Sequence, residues 1–232
     1  MKKGDLKRER ILDTAERLFF ENGYDRTGVQ EILDALQMSK GGFYHYFDAK
    51  ESLLKEICER RWSRRFERAR VELYSPGVGP TDKLNLLLGL TNLFENEDAH
   101  FAALMLKIYC RDMDAAIRDH RRRVLLDHLT DPLTEVVGEG IESGILHTRH
   151  PLEAGRLALM LACDVNDEAC RILAAGPENP DRIIRMIEML NACRESVELI
   201  VGAPYGSVSI FDPSRMVGAW RQASEELKRL EE

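Results

Sequence analysis

Nowhere does this sequence run to the roughly 20 consecutive apolar residues that a membrane-spanning helix needs, so no membrane partner is expected. Its five cysteines (Cys58, Cys110, Cys163, Cys170, Cys193) are odd in number, scattered, and without a CxxC pair. That excludes a disulfide framework and gives no recognisable zinc spacing. The opening Met1-Lys2-Lys3-Gly4-Asp5 is followed by no apolar run, so no signal peptide is expected and the chain reads as cytoplasmic and reduced. P-loop, G-x-S-x-G, H-E-x-x-H and G-x-G-x-x-G patterns are all missing. An enzyme would need a catalytic constellation that is not there, so neither enzymatic activity nor a cofactor is expected. His120 and His128 stand among charges on a helix, and His147 and His150 flank a loop. They read as solvated side chains and not as metal ligands, although a metal-responsive or oxidant-responsive protein (through Cys110 or Cys163) is the alternative.

What is present is helix. Hydrophobic residues make up 44% of the 232 and charged residues 31%, an ordinary balance for a helical protein. The net charge of −7 is unevenly placed: residues 1–73 hold 16 Lys/Arg against 14 Asp/Glu, and the remainder 17 against 26. A mildly basic head on an acidic body suits local contact with a polyanion while the body is kept away from it. Lys2, Lys3, Lys7 and Arg8 gather at the start of a first helix over 5–22, whose apolar face is Ile11, Leu12, Ala15, Leu18 and Phe19. Gly23 stops it, as C′ glycines do.

Residues 27–53 organise the rest. Val29, Ile32 and Leu36 fall at helical spacing. Gln37-Met38 interrupts, and Ser39 stands where an N-cap belongs. Phe43 and Phe47, four apart, face inward and leave Lys40, Gly41, Gly42, Tyr44 and His45 outward. Asp48 is placed to cap the next helix, which opens at Lys50. Two short helices joined by a three-residue turn, the second outwardly polar, make a helix-turn-helix. Adjacent glycines cost a helix roughly 1 kcal/mol each against Ala, which argues for close approach of its backbone to another surface.

Gly23-Tyr24, Thr27, Val29, Ile32, Ser39, Gly41, Phe43-Tyr44, Phe47, Lys50 and Leu53 resemble the DNA-binding domain of TetR-type transcriptional repressors over about residues 6–54. The sequence departs from that pattern at Gly28 (for Ser/Thr), Leu33 and Leu36 (for Ala) and Gln37 (for Gly). A helical scaffold that has lost DNA binding is therefore a second alternative. The resemblance implies an all-α fold: a helix-turn-helix domain at 1–49 and a helical ligand-binding and dimerisation domain at 50–232. It implies a homodimeric, ligand-responsive regulator, a repressor binding palindromic operator DNA and released by a small-molecule effector. Thr27, Tyr44 and Lys50 are the expected phosphate contacts, Lys40 and His45 the base contacts, with Ser39, Gly41 and Gly42 completing the surface.

Past Lys50 a helix is expected to Tyr74, with an arginine-dense outer face (Arg60, Arg61, Arg64, Arg65, Arg68, Arg70). Interleaved glutamates make a solvated face with i,i+4 pairs the better reading. Ser75–Pro80 is a linker. Further helices are expected at 81–95, 99–110, 112–144 with a break or kink at Pro132, 151–175, 181–201 and 214–230. By the same resemblance, 152–175 and 181–202 form the dimer interface. Trp62, Phe66, Phe101, Met105, Tyr109, Met160 and, where it is buried, Asp164 are candidates for the effector pocket, though an aromatic stripe at helical spacing also suits plain core and Asp164 also suits an arginine across the dimer.

Overall fold

The computed structural model describes residues 3–92, 101, 102, 105, 115–175 and 179–231, and every regular element among them is a helix. In chain order these are α1 (Lys3–Asn22), α2 (Val29–Leu36), α3 (Lys40–Tyr44), α4 (Lys50–Leu73), α5 (Pro80–Gly89), α6 (Ala115–Glu142), α7 (Pro151–Ala174), α8 (Pro180–Val201) and α9 (Pro213–Glu231). Phe101, Ala102 and Met105 are helical too, between α5 and α6. Tyr109 and Cys110 lie outside the described residues.

The first three helices form because their apolar residues repeat at helical spacing and find one another. Ile11, Leu12, Ala15 and Phe19 of α1, Ile32 and Leu33 of α2, and Phe43 of α3 are all at most 1% exposed. Five residues containing two glycines would not stay helical alone. Their propensity cost of roughly 2 kcal/mol is outweighed by burying Phe43 and Phe47, each worth about 1.5–3 kcal/mol. Gln37 ends α2 in the left-handed region (φ 52), the position that the TetR-type pattern gives to glycine. Among the described residues no other non-glycine has a positive φ.

That apolar cluster does not stop at the head. It continues through Ile57, Cys58 and Trp62 of α4 to Phe101 and Met105, then to Ala169, Cys170 and Leu173 of α7, Met186 and Leu190 of α8, and Met216 and Ala223 of α9. A second cluster fills the far end, where Leu84, Leu87 and Leu88 of α5 meet Leu129, Leu133 and Val137 of α6, Ala158 and Leu159 of α7, and Val197 and Val201 of α8. α6 packs most extensively on α7, and α7 on α8. Gly202 closes α8 at φ 66, and a Cβ there would stand 2.0 Å from the His147 carbonyl oxygen, so only glycine fits.

Two expectations fail here. Pro132 does not break the chain into two elements; it sits inside one continuous helix. Its lost hydrogen bond and ring clash cost about 3 kcal/mol, but Leu129, Leu133, Val136 and Val137 are buried on both sides of it and hold the helix. α5 ends at Gly89 instead of running to Glu95, because the chain tightens there: the Thr91 and Asn92 N–H groups donate back to Leu88 and Gly89.

Candidate nucleic-acid interface and ligand cavity

Ser39 caps α3 as expected, its Oγ accepting the Gly42 N–H at 3.2 Å. Phe43 and Phe47 point into the core with ring centroids 6.0 Å apart. This fixes the rotation of α3, so that Lys40, Gly41, Tyr44 and His45 are all exposed. Tyr44 is held upright by an edge contact with Phe43 at 5.4 Å, which leaves its phenol 54% exposed as a residue. The two glycines divide their roles. A Cβ on Gly41 would meet nothing within 4 Å, whereas one on Gly42 would press on Met38 and Ser39 Oγ at 3.3 Å. Gly41 therefore keeps the outer face flat, and Gly42 makes room for the cap.

Several residues expected at this surface are turned away from it. Thr27 is 0% exposed, its hydroxyl shared between the Leu18 and Gly23 carbonyls at 3.1 and 2.9 Å. It pins the turn between α1 and α2 and cannot reach a phosphate. The N-cap is Gly28, whose N–H donates to Glu31 Oε2 at 2.8 Å, half of a capping box. The Lys50 ammonium donates to the Tyr24 carbonyl at 2.8 Å and lies 4.2 Å from the Tyr24 ring centroid. It staples α4 to the turn after α1. Arg8 pairs with Glu56 and lies over the Phe47 ring, while Lys7 stays exposed. Asp48 is one residue early for a cap: Ala49 holds that position, and Asp48 accepts from Ser52. That bond holds the Asp48 carboxyl below its ordinary range. Sequence reasoning passed over Arg26, exposed two residues before the N-cap of α2, because an isolated basic residue in a turn carries no periodic signal.

The arginine face of α4 is solvated as expected at Arg64, Arg68 and Arg70, the last paired with Glu67 at 3.4 Å, but not at Arg60, Arg61 and Arg65. Arg60 reaches across to Glu9 (3.0 Å), Asp13 (2.7 Å) and Glu16, three carboxylates on one face of α1. Arg61 Nε bonds Glu16 at 2.6 Å, and its guanidinium lies between the Phe20 and Phe101 rings, 5.2 and 4.4 Å from their centroids. Arg65 is 7% exposed and donates to the Asn92 carbonyl at 3.0 Å.

Residues 11–57 match the family model described as bacterial regulatory proteins, tetR family. Over this head the chain is similar to the TetR family. It is 32% identical over 142 residues to the uncharacterized HTH-type transcriptional regulator YuxN of Bacillus subtilis, covering 59% of this chain and 47% of that one. It is 36% identical over 72 residues to the HTH-type transcriptional repressor NemR of Escherichia coli, covering 31% of this chain and 36% of that one. The matches thus span about half, or less, of these relatives' length. A solved TetR-family transcriptional regulator of Pectobacterium atrosepticum superposes with a TM-score of 0.57 at 19% identity, over 88% of this chain and all of that one. The fold is the TetR-like all-α one, a helix-turn-helix head followed by a helical body.

In the helical body, the aromatic residues read as pocket wall are mostly core. Trp62 is 5% exposed, and Phe101 and Met105 are fully buried, with Met105 Sδ 3.8 Å from Cys58 Sγ. The space beside Trp62, Phe66 and His128 amounts to about 10 Å³, room for about one water. Phe66 is half-buried under the His128 ring. Asp164 is exposed and pairs with Arg122 at 2.9 Å, because it falls on the outer face of α7 with half-buried Met160. Among the described residues a larger opening, about 310 Å³, lies between α5, Arg65 of α4 and residues 209–215.

Among the described residues no three His, Cys, Asp or Glu side chains come together as metal ligands, and no helix is long and apolar enough to cross a membrane. Burial pushes the Cys163 thiol up to about 12 against the opposing pull of Arg121, and burial alone raises Cys193 to about 12. A redox sensor needs the opposite, an accessible thiol with a lowered pKa.

Proposed function

We propose that this chain is a ligand-responsive transcriptional regulator, a repressor that binds palindromic operator DNA as a homodimer and leaves it when a small-molecule effector binds. The observation that carries this reading is the outer face of α3. A lysine, a side-chain-free backbone patch, an upright tyrosine and a histidine are presented together by a helix whose other side is locked by Phe43 and Phe47. Lys40 and His45 reach base edges in the major groove, Tyr44 bonds a phosphate, and Gly41 sets the approach distance. Residues 1–49 are the DNA-binding domain and 50–232 the regulatory one.

One short recognition helix reads few bases, so the reading requires two heads at about 34–36 Å. The outer faces of α7 and α8 supply the contact. Leu152 and Leu157 on α7, and Ile184, Ile187 and Leu199 on α8, are 36–84% exposed in the single chain. Apolar side chains gathered on neighbouring helices mark an interaction surface, which here pairs 152–175 and 181–202 with their copies.

The test is a gel shift on the gene's own upstream intergenic DNA across a salt series, with scrambled DNA as control. Binding is expected to be specific and to fall steeply with salt, as phosphate contacts require. Replacing Lys40, Tyr44 and His45 together by Ala is expected to abolish the shift while leaving helix content and dimer mass unchanged. Undiminished affinity in that variant would overturn the assignment of α3.

A further inference from the structure

In a helix-turn-helix the first helix of the motif crosses the DNA backbone, so the start of α2 needs a group that receives a phosphate. Here the groups expected to do so at that corner are already engaged. The Thr27 hydroxyl is shared between two carbonyls of the head. Gly28 has no side chain, and its N–H donates to Glu31 Oε2 at 2.8 Å. The Lys50 ammonium reaches the same corner from α4, but it donates to the Tyr24 carbonyl at 2.8 Å and lies 4.2 Å from the centroid of the Tyr24 ring. Tyr24 is buried and braced edge-on against Phe19, so Lys50 is drawn down onto a fixed platform.

Arg26 stands in the middle of this corner, two residues after Tyr24 and two before the N-cap Gly28. It is exposed, and among the described residues no carboxylate pairs with it. By contrast, Arg8 is held by Glu56 and Arg17 by Glu21. The backbone that carries Arg26 is pinned on both sides. After it, the Thr27 N–H and hydroxyl both donate to the Gly23 carbonyl, at 3.1 and 2.9 Å. Before it, Lys50 holds the Tyr24 carbonyl. Asp25, Glu31 and Glu51 are exposed at the same corner. A phosphate is admitted past those carboxylates only beside a cation that extends beyond them, and the arginine fork matches phosphate oxygens in pairs.

We infer that Arg26 is the phosphate-contacting residue of this corner and that Lys50 is its positioning residue, holding the 23–27 turn so that the guanidinium faces the DNA backbone. The ligand is the phosphodiester backbone of double-stranded DNA, held without regard to base. This division of roles departs from what the TetR-type resemblance implies for Thr27 and Lys50, because in this chain both side chains are spent on the turn itself. The inference rests on the regulator reading, whose base contacts lie on a different element, α3.

The experiment measures binding of the full chain to its upstream intergenic DNA and to scrambled DNA from about 50 to 200 mM salt, for the parent, Arg26→Gln, Arg26→Lys and Lys50→Met. Each phosphate contact contributes about 0.9 to the slope of log affinity against log salt, so Arg26→Gln is expected to lower the slope by about two for a homodimer. It is expected to weaken both DNAs by the same factor and so to keep their ratio. Arg26→Lys retains the charge and is expected to keep the parent slope. Lys50→Met is expected to leave the slope on scrambled DNA within about half a unit of the parent. It is expected to lower the ratio of specific to scrambled binding at least about threefold, since a misplaced phosphate contact loosens the register of the head. A slope untouched by Arg26→Gln, in a parent chain that binds its own DNA specifically, would overturn the inference and leave the regulator reading standing. A slope lowered as much by Lys50→Met as by Arg26→Gln would overturn the division of roles. A parent chain without specific binding would overturn the regulator reading and this inference with it.

Discussion

Arg60 and Arg121 both cross-link helices, yet they work in different surroundings. Arg60 ties α4 to three carboxylates of α1, and although its own side chain is 12% exposed and Glu16 13%, Asp13 is 66% exposed and Glu9 41%. Arg121 is 3% exposed and ties α6 to Asp167 of α7 at 2.6 Å and to the Thr91 carbonyl beyond α5. Nearby, Arg65 holds the next carbonyl, that of Asn92. The head joint is thus ionic and wetted along its Glu9 and Asp13 edge, while the body node is ionic and dry throughout. A wetted joint is adjustable, because water and salt replace lost contacts at small cost. In a dry node water and salt have little access to replace a lost partner. The difference suits a molecule whose head changes its angle while its body keeps its packing.

The largest break in that comparison is expected from Arg121→Ala. It removes the guanidinium that Asp167, 13% exposed, meets at 2.6 Å and that also serves the Thr91 carbonyl, and removing one member of a buried pair costs about 3–5 kcal/mol. Urea denaturation measures it. A loss below about 1 kcal/mol would mean that the node is wet and that the contrast with Arg60 is false. Arg60→Ala comes second, at about 2 kcal/mol, since it leaves three α1 carboxylates facing one another with partial access to water. Its cost is expected to shrink measurably in 0.5 M salt, whereas that of Arg121→Ala stays constant. Equal salt dependence for the two variants would remove the distinction.

These two nodes also show what could be read in the sequence. The head was legible because its information is local: Ser39, Phe43 and Phe47 fix α3 through contacts within a few residues, and the outward set of Lys40, Gly41, Tyr44 and His45 follows. The direction taken by a long polar side chain is not local. Lys50 finds a carbonyl 26 residues away, and Arg60 finds carboxylates 44 to 51 residues away. Spacing on α4 alone therefore suggested i,i+4 pairs that do not dominate. Thr27 looked like a phosphate ligand because it precedes a helix, and only the packing of Leu18 and Gly23 shows that its hydroxyl is spent. Asp164 was misread for a similar reason. On a helix as apolar as α7, one residue, about 100° of rotation, separates a buried position from a surface ion pair. The cleft joins residues 85–92 to 209–215, with a hydrogen bond spanning 122 residues, and no pattern along the chain announces that.

Glu56 gives the smallest and most discriminating test of the wetted joint. It lines the groove between α1 and α4 with Arg8, Glu9, Glu59 and Arg60. Burial raises its carboxyl above the ordinary 4.5, the attraction of Arg8 opposes that shift, and Glu59 and Glu9 add to it. An acid whose folded value is raised stabilises the fold fully below the unfolded value and loses that contribution as pH rises through the folded one. Glu56→Gln removes the ionisation and keeps an acceptor for Arg8. The variant is therefore expected to gain on the parent chain as pH rises from about 4.5 toward 7. The gain should be only about a few tenths of a kcal/mol, because the group is partly solvated. Denaturation midpoints at pH 4, 5.5 and 7 measure it. A difference that is flat across this range, or that favours the parent chain at pH 7, would mean that Arg8 governs Glu56 and that this edge of the joint is a simple ion pair.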